Sequence, residues 1–337
     1  MTTAEFKNEA NILINHALRV KPSDKVMILS DFRTVEQSAS KALISAFIYE
    51  LQSVGADCTV DLCNPRLLPH QPIPAQMAET LKACDIVINL SVHNMLYHDG
   101  AAMREAVSNG TRIVLLPRTV HIGYDFDKSH RMMPNNEEDF YKIVELTQKV
   151  QNKIKGGGKI RMTNAAGSDI TFTIGTLSFS FTSNLCLDPH FYLYPGGQCA
   201  IGIDEGTANG KIVIDANIQP ILRMLNEPIE FIVKDGYITE VNGGPDAMEY
   251  KRAAESVGDP GAFCVAEFGL GMNHLARGWG KPYLDEMEIG AVHYGIGSNK
   301  NFGGSVEANK WHTDGVLPNS SVWFNDELIL DNGKYLL

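Results

Sequence analysis

The strongest constraint on the fold is a change of hydrophobic period at one glycine-rich stretch, Lys155-Gly-Gly-Gly-Lys159. Before this stretch, helix-like apolar stripes alternate with short continuous apolar runs, which are typical of buried parallel strands. After it, polar and apolar residues alternate, as in half-buried antiparallel strands. The sequence therefore predicts two domains, residues 1–155 and residues 156–337, that fold in different ways.

The first part combines strand-like runs with amphipathic helical stretches in regular alternation. Such alternation implies right-handed crossovers and a Rossmann-like, doubly wound parallel sheet. No Gly-x-Gly-x-x-Gly motif follows the first strand, so nucleotide binding has little support. The strand-like runs are Val26–Leu29, Cys58–Leu62, Asp85–Leu90 and Thr111–Leu116, and the helical stretches are Glu5–Val20, Val35–Ser53, Gln76–Ala83, Met103–Ser108 and Asn136–Lys153.

The second part carries hairpin signals and reads as a strand-rich α+β domain. Asp235-Gly236 separates two strand-like runs, and Asp-Gly is a preferred pair in a two-residue hairpin turn. Asn325-Asp326 separates another two near the end of the chain. The whole chain is therefore predicted to be an α/β protein whose second domain is rich in strands.

Composition excludes several functional classes. Lys and Arg total 29 against 40 Asp and Glu, for a formal net charge of −11. Phosphate attraction needs a basic face, so we expect binding to neither nucleic acid nor membrane. No run approaches the roughly 18 apolar residues of a membrane span, and the first residues do not resemble a secretion signal. The scattered cysteines suit reduced thiols, and we expect a cytoplasmic protein.

A histidine-containing loop follows the third predicted strand. His93 and His98 lie in the segment Ser91–Asp99. Ligands of open parallel sheets bind beyond the carboxyl ends of the strands, so this loop is either a wall of a site or an ordinary solvent loop.

Side chains able to bind a metal ion concentrate between residues 264 and 315. His312 and Asp314 are two positions apart, so on an extended backbone both point to one face. Glu267 and His293 lie in strand-like runs of their own, and glycines flank all four residues. Imidazole nitrogens with carboxylate oxygens suit Zn, Fe(II), Mn or Co. The sequence therefore predicts a site for a divalent metal at Glu267, His293, His312 and Asp314.

The order of these motifs resembles the thermophilic leucyl-aminopeptidase-type metallopeptidases, the aminopeptidase T and aminopeptidase S group. It is also similar to their ring-cleaving relatives, the 2,5-dihydroxypyridine 5,6-dioxygenases. The residues that carry the resemblance are Glu267, Asp285-Glu286, Gly290-Ala-Val-His293, Phe302-Gly-Gly304 and His312-Thr-Asp-Gly315.

The resemblance implies a different ligand set for each group. The peptidases hold two ions with two glutamates, two histidines, an aspartate and a tyrosine, four of which match Glu267, His293, His312 and Asp314. Gln198 replaces the first glutamate and no tyrosine matches cleanly, so we expect one ion. The dioxygenases hold one Fe(II) with two histidines and an aspartate. His312 and Asp314 match two of these ligands, and Glu267 stands in place of the other histidine.

Two enzymatic functions follow from these ligand sets. The first is a metal-dependent, aminopeptidase-like hydrolase of an amide or short peptide, in which Glu267 or a nearby carboxylate takes a proton from metal-activated water. The alternative is a mononuclear non-heme iron dioxygenase acting on a dihydroxypyridine-like N-heterocycle, with His98 or else His93 as the proton-transfer group. A metal-free binding protein is a third possibility. The resemblance also implies a homo-oligomer, a dimer or larger.

Overall fold

Two compact units make up the chain in a computed structural model that describes residues 2–36, 38–63, 74–91, 100–116, 130–278 and 280–337. The first unit contains Met1–Val144 and Asn184–Gly196, and the second contains Glu145–Ser183 and Gly197–Leu337. The chain therefore passes from one unit to the other more than once. The division into domains 1–155 and 156–337 remains a prediction, because it concerns which parts of the chain fold independently.

Helices and strands alternate through the first unit, whereas strands dominate the second. The helices are α1 (Lys7–Asn11), α2 (Phe32–Glu36), α3 (Ser38–Val54), α4 (Ala75–Lys82), α5 (Gly100–Ser108), α6 (Glu137–Ile154), α7 (Pro245–Ser256) and α8 (Pro282–Asp285). The first nine strands are β1 (Lys25–Asp31), β2 (Asp57–Cys63), β3 (Ile86–Asn89), β4 (Arg112–Leu115), β5 (Gly158–Thr163), β6 (Asp169–Thr182), β7 (Phe191–Leu193), β8 (Gln198–Ile203) and β9 (Asn209–Ile214). The remaining strands are β10 (Asn217–Ile218), β11 (Ile229–Lys234), β12 (Tyr237–Asn242), β13 (Val265–Gly271), β14 (Val292–Gly297), β15 (His312–Leu317), β16 (Ser321–Phe324), β17 (Glu327–Asp331) and β18 (Lys334–Tyr335).

The first unit contains the predicted parallel sheet. Within the described residues its strand order is β2-β1-β3-β4-β7, and every neighbouring pair is parallel. The central strands are buried on both faces, as the continuous apolar runs predict. The sequence pattern did not reveal β7, because this strand has only three residues and is far along the chain from the others.

The N-terminal helical stretch is less regular than an amphipathic pattern suggests. A 3-10 turn at Thr3–Phe6 leads into α1, and Ile12–Ala17 continues as a π-helix. The wider π turn buries three consecutive apolar side chains, those of Ile12, Leu13 and Ile14.

The second unit is one large, mainly antiparallel sheet. Its main strand order is β10-β15-β14-β13-β8-β6-β5-β16-β17-β18, and β9, β11 and β12 branch from β6. Both predicted hairpins are confirmed, β11–β12 and β16–β17. Asp235 and Gly236 both have positive φ, as the tight turn between β11 and β12 requires.

An aromatic cluster packs behind the strands that carry the predicted metal ligands. Phe268 on β13 lies 5.1 Å from Phe172 and 5.6 Å from Tyr294 on β14, measured between ring centroids, and all three rings are fully buried. Each such pair contributes about 0.5–1.5 kcal/mol beyond area burial. Because side chains alternate across a strand, the cluster anchors one face of the sheet and leaves the other for Glu267 and His293.

None of the helices in the described part of the chain is both long enough and apolar enough to span a membrane.

Asp246, in the first turn of α7, is a buried carboxylate that accepts hydrogen bonds from Arg223 and Asn226. Arg223 donates to both carboxylate oxygens at 2.8 and 3.1 Å, and the backbone N–H of Asn226 donates at 2.7 Å. The hydrogen bonds from Arg223 and Asn226 outweigh burial and lower the pKa of Asp246 to about 2. The ionised carboxylate therefore stabilises the folded state.

We expect Asp246→Asn to lower the free energy of unfolding by about 1–3 kcal/mol at pH 7, the range for hydrogen bonds to a charged group. Asp246 has a pKa of about 2 in the folded state and about 3.9 when unfolded. Its contribution is therefore complete well above pH 4 and lost as the pH falls toward 2. Urea unfolding of both proteins between pH 7 and pH 2.5 measures this change.

The matched control is Glu249→Gln, since Glu249 is on the same helix but exposed, with a 3.7 Å contact to Arg223. This variant should unfold like the parent. A stability difference between Asp246→Asn and the parent that stays constant down to pH 2.5 would contradict the assignment.

Candidate metal centre

The four predicted metal ligands lie on one face of three adjacent strands. In the antiparallel register Glu267 on β13 lies opposite Gly295 on β14, which in turn lies opposite Asp314 on β15. His293 and His312 are each two residues from a member of this row, so they share its face. The intervening Thr313 faces the core, where its hydroxyl lies 3.2 Å from that of Tyr250.

Glycines opposite the ligands provide the space for them. Gly269 pairs with His293 across β13 and β14, and a Cβ atom at Gly269 would overlap the His293 ring. A Cβ atom at Gly295 would lie 2.6 Å from His312 Nε2 and 2.7 Å from Glu267 Cβ. Both distances are shorter than van der Waals contact, so any larger residue would displace the ligands.

The side-chain tips converge on Glu267. Its Oε1 lies 3.3 Å from His293 Nε2, and its Oε2 lies 2.9 Å from His312 Nε2. His312 Nε2 is also 3.3 Å from Asp314 Oδ1. Glu267, His312 and Asp314 each offer a ligand atom within 4.8 Å of the others, and His293 joins them through its contact with Glu267.

The hydrogen bond of the other His312 nitrogen fixes the orientation of the ring. His312 Nδ1 lies 2.7 Å from the carbonyl oxygen of Ser298, and a carbonyl can only accept, so Nδ1 carries a hydrogen. Nε2 then faces two carboxylates, and either a proton or a metal ion must lie between them. A carbonyl partner for the outer nitrogen is common in histidines that bind metals.

His293 is fully buried, and its Nδ1 has no hydrogen-bond partner among the described residues. Its Nε2 contacts Glu267, whose side chain is itself mostly buried. A buried polar atom without a partner is costly to the fold, so its retention beside three other polar groups favours a functional role.

Opposite charges attract one another at this site. Burial alone would raise the pKa of Glu267, but hydrogen bonds and positive charge from His293 and His312 lower it. Burial would likewise lower the pKa values of both histidines, yet Glu267 and Asp314 raise the pKa of His312 well above its ordinary value. Glu267 and Glu286 raise that of His293. Two imidazoles and two carboxylates in this arrangement fit a divalent transition-metal ion, which would replace the imidazole protons.

Other polar residues from the sequence take different positions. Gln198 on β8 lies opposite Gly271 on β13, so it shares the ligand face and brings a neutral amide rather than a carboxylate. The Asp285 carboxylate accepts hydrogen bonds from Asn217 Nδ2 and from the backbone N–H groups of Gly280 and Lys281. Asp285 therefore supports a turn.

Sequence reasoning missed two neighbours of the site. Ser298 orients His312 through its backbone carbonyl, which no side-chain pattern reveals. Gln219 bonds to the backbone of Asp314, but it follows a strand of only two residues. His93 and His98 lie outside the described residues.

Comparison with known proteins gives matches over nearly the full chain. The family model described as NicX: 2,5-dihydroxypyridine 5,6-dioxygenase matches residues 15–336. A 2,5-dihydroxypyridine 5,6-dioxygenase from Pseudomonas putida is 24% identical over 338 residues, covering 93% of this chain and 91% of that protein.

Two solved structures share the fold. The 2,5-dihydroxypyridine dioxygenase of Pseudomonas putida superposes with a TM-score of 0.81 at 18% identity, covering 100% of this chain and 98% of the other. AmpT from Thermus thermophilus superposes with a TM-score of 0.63 at 12% identity, covering 99% of both chains. The α/β fold class and the resemblance seen in the sequence are both confirmed.

The expectation of an aminopeptidase-like hydrolase is wrong. The matching family model and the matching curated relative are both described as dioxygenases. The ligand face agrees with this correction, since Gln198 has no carboxylate for a second ion.

We expect Gly295→Ala to weaken metal binding by about 10- to 100-fold, the range seen when the support of a metal ligand is removed. The added methyl group would displace His312 Nε2 and Glu267 from their present positions. Titration of metal-free protein with Co(II) or Fe(II) under anaerobic conditions, with circular dichroism to check folding, measures the change.

Gly156→Ala is the matched control, because Gly156 has no heavy atom within 4 Å of an added Cβ and no positive φ. It should bind metal like the parent. Unchanged affinity in Gly295→Ala would show that the space above Gly295 does not matter to the site.

Proposed function

The chain belongs to the 2,5-dihydroxypyridine 5,6-dioxygenase (NicX) family, and on that basis we propose that it is a mononuclear non-heme iron dioxygenase that opens the ring of a hydroxylated N-heterocycle. The observation that carries the proposal is the family match over residues 15–336. The convergence of two imidazoles and two carboxylates on one sheet face supports it.

We propose that one divalent ion, Fe(II), is held by Glu267, His312 and Asp314, with His293 as a further ligand. The support is geometric, since the ligand atoms of the first three lie within 4.8 Å of one another and His293 contacts Glu267. When bound, iron would supply the redox chemistry that lets dioxygen react with a ring. Two His and one carboxylate, with open positions beside them, are the ligands of non-heme Fe(II) oxygenases, and this face offers one carboxylate more.

The residues around this face have distinct tasks. The carbonyl of Ser298 holds His312 in the tautomer whose Nε2 faces the carboxylates. The fully buried His293 holds Glu267 from the inner side through its 3.3 Å contact with Oε1. Gly269 and Gly295 let three strands bring their polar side chains to one point. A rigid, preformed set of ligands lowers the cost of orienting the reactants.

Glu267 is the main departure from the ligand set that the resemblance implies for the dioxygenases. It stands where those enzymes have a histidine, and His293 on the neighbouring strand supplies the second imidazole. We infer that this chain keeps two imidazoles at the centre by a different arrangement and adds one negative charge.

Proton transfer by His98, or else by His93, stays a prediction. The substrate is proposed to be a small molecule, in line with the relative from Pseudomonas putida. The expected homo-oligomer, a dimer or larger, also stays a prediction.

The direct test is oxygen uptake by protein reconstituted with Fe(II) and supplied with 2,5-dihydroxypyridine. We expect one O₂ consumed for each ring opened, together with loss of the near-ultraviolet absorbance of the ring, and no ring loss under anaerobic conditions. Ring consumption at full rate without oxygen, or no reaction when both are present, would contradict the proposal.

A second prediction concerns the ligands themselves. His312→Ala should remove most of the bound metal, because the ion loses a nitrogen that contacts both Glu267 and Asp314. Elemental analysis after reconstitution measures metal per chain. His190→Ala is the control, as His190 is exposed in the first unit and should leave the metal content unchanged. Equal metal content in both variants would show that His312 is not a metal ligand.

A further inference from the structure

Gln219 extends the row of polar residues that contains Glu267 and Asp314. Strand β10 pairs with β15 so that Asn217 lies opposite Val316 and Ile218 opposite Gly315. The next residue, Gln219, therefore lies opposite Asp314. Residues opposite each other in an antiparallel pair share a face, so the Gln219 side chain belongs to the ligand face of the sheet.

Gln219 bonds to the backbone of Asp314 in both directions. Its own N–H donates to the Asp314 carbonyl oxygen at 3.1 Å, and its side-chain Oε1 accepts from the Asp314 N–H at 3.4 Å. The backbone of Asp314 is thereby fixed on the side away from β14.

This contact also determines where the oxygen and the nitrogen of the Gln219 amide lie. The Asp314 N–H can only donate, so the oxygen of the Gln219 amide must face it and Nε2 must point elsewhere. Gln219 is 6% exposed, and Nε2 has no hydrogen-bond partner among the described residues. A buried amide donor is thus held beside Asp314 with its hydrogens unused.

An unused donor at this position suits an acceptor oxygen brought by a ligand. An NH₂ group cannot coordinate a metal ion, because it has no available lone pair, so the partner is not the ion itself. A ring hydroxyl or ring oxo group is the acceptor that a hydroxylated heteroaromatic would offer next to the metal ligands.

We propose that Gln219 is a substrate-binding residue whose Nε2 donates a hydrogen bond to a ring oxygen of the hydroxylated N-heterocycle, while its Oε1 holds Asp314. This inference rests on the proposed function and adds a residue that sets specificity. Sites that pair a buried donor with a substrate oxygen reject analogues that lack this oxygen, because the donor is then left without a partner.

The test compares ligand affinities rather than turnover. Fe(II)-loaded protein is titrated anaerobically with 2,5-dihydroxypyridine, 2-hydroxypyridine and 3-hydroxypyridine, and the absorbance of the bound ring is followed. The wild-type protein should bind the dihydroxy compound more tightly than at least one monohydroxy compound. In Gln219→Met we expect this preference to fall by about 3- to 10-fold, which corresponds to one net hydrogen bond.

Gln219→Glu separates the two roles of the amide. The new carboxylate can still accept a hydrogen bond from the Asp314 N–H but offers no donor. The variant protein should therefore bind iron and still lose affinity for the dihydroxy compound. Iron content is measured for every variant. Gln148→Met, the same change at an exposed position of α6, should leave both quantities unchanged.

The proposal would be overturned if both Gln219 variants showed the same ratios of affinity for the three rings as the wild-type protein. Loss of iron from both variants would also overturn it, since Gln219 would then act only through Asp314. A wild-type protein that binds none of the three rings would instead overturn the proposed function, and this inference with it.

Discussion

The attraction between the carboxylates of Glu267 and Asp314 and two imidazoles on one sheet face is the interaction on which the rest of the site depends. Glu267 contacts both histidines, and Asp314 contacts one. Such groups are costly to bury unless each has a partner, so all four must lie close together. Three strands can bring them this close only if little else occupies the same face, and Gly269 and Gly295 meet that condition.

The opposite face of the same strands provides the rigidity that this arrangement needs. Phe268 and Tyr294 alternate with Glu267 and His293 along β13 and β14, and their rings pack with Phe172 in the core. A shift of any strand by one residue would exchange the two faces and bury charge in the core. The apolar cluster therefore fixes the register, and the register brings the predicted metal ligands to one face.

Much of this architecture could be predicted from the sequence, because its periodicities are local. The alternation of helices and strands gave the parallel sheet, Asp235-Gly236 gave a hairpin, and the spacing of His312 and Asp314 placed both on one face. Contacts between distant segments could not be predicted in the same way. Strand β7 and Gln219 take their roles from pairing partners far along the chain, and their own sequences carry no period.

The reaction class was hard to predict from the candidate ligands, since a set of histidines and carboxylates serves both hydrolysis and oxygenation. The sequence favoured a hydrolase because Glu267 and His293 match metal ligands of the peptidases. That preference was wrong, and the family match overturns it. The physical difference lies in Gln198, because a neutral amide on the ligand face removes the charge that a second ion would need.

Charge complementarity explains how these polar groups can lie together in a stable fold. Asp314 and Glu267 raise the pKa of His312 well above its ordinary value, and Glu267 and Glu286 raise that of His293, so these carboxylates favour positive charge on the imidazoles. A divalent ion would supply positive charge of the kind that these carboxylates favour. The glycines opposite the imidazole rings leave room for them, and the candidate ligand atoms of Glu267, His312 and Asp314 lie within 4.8 Å of one another.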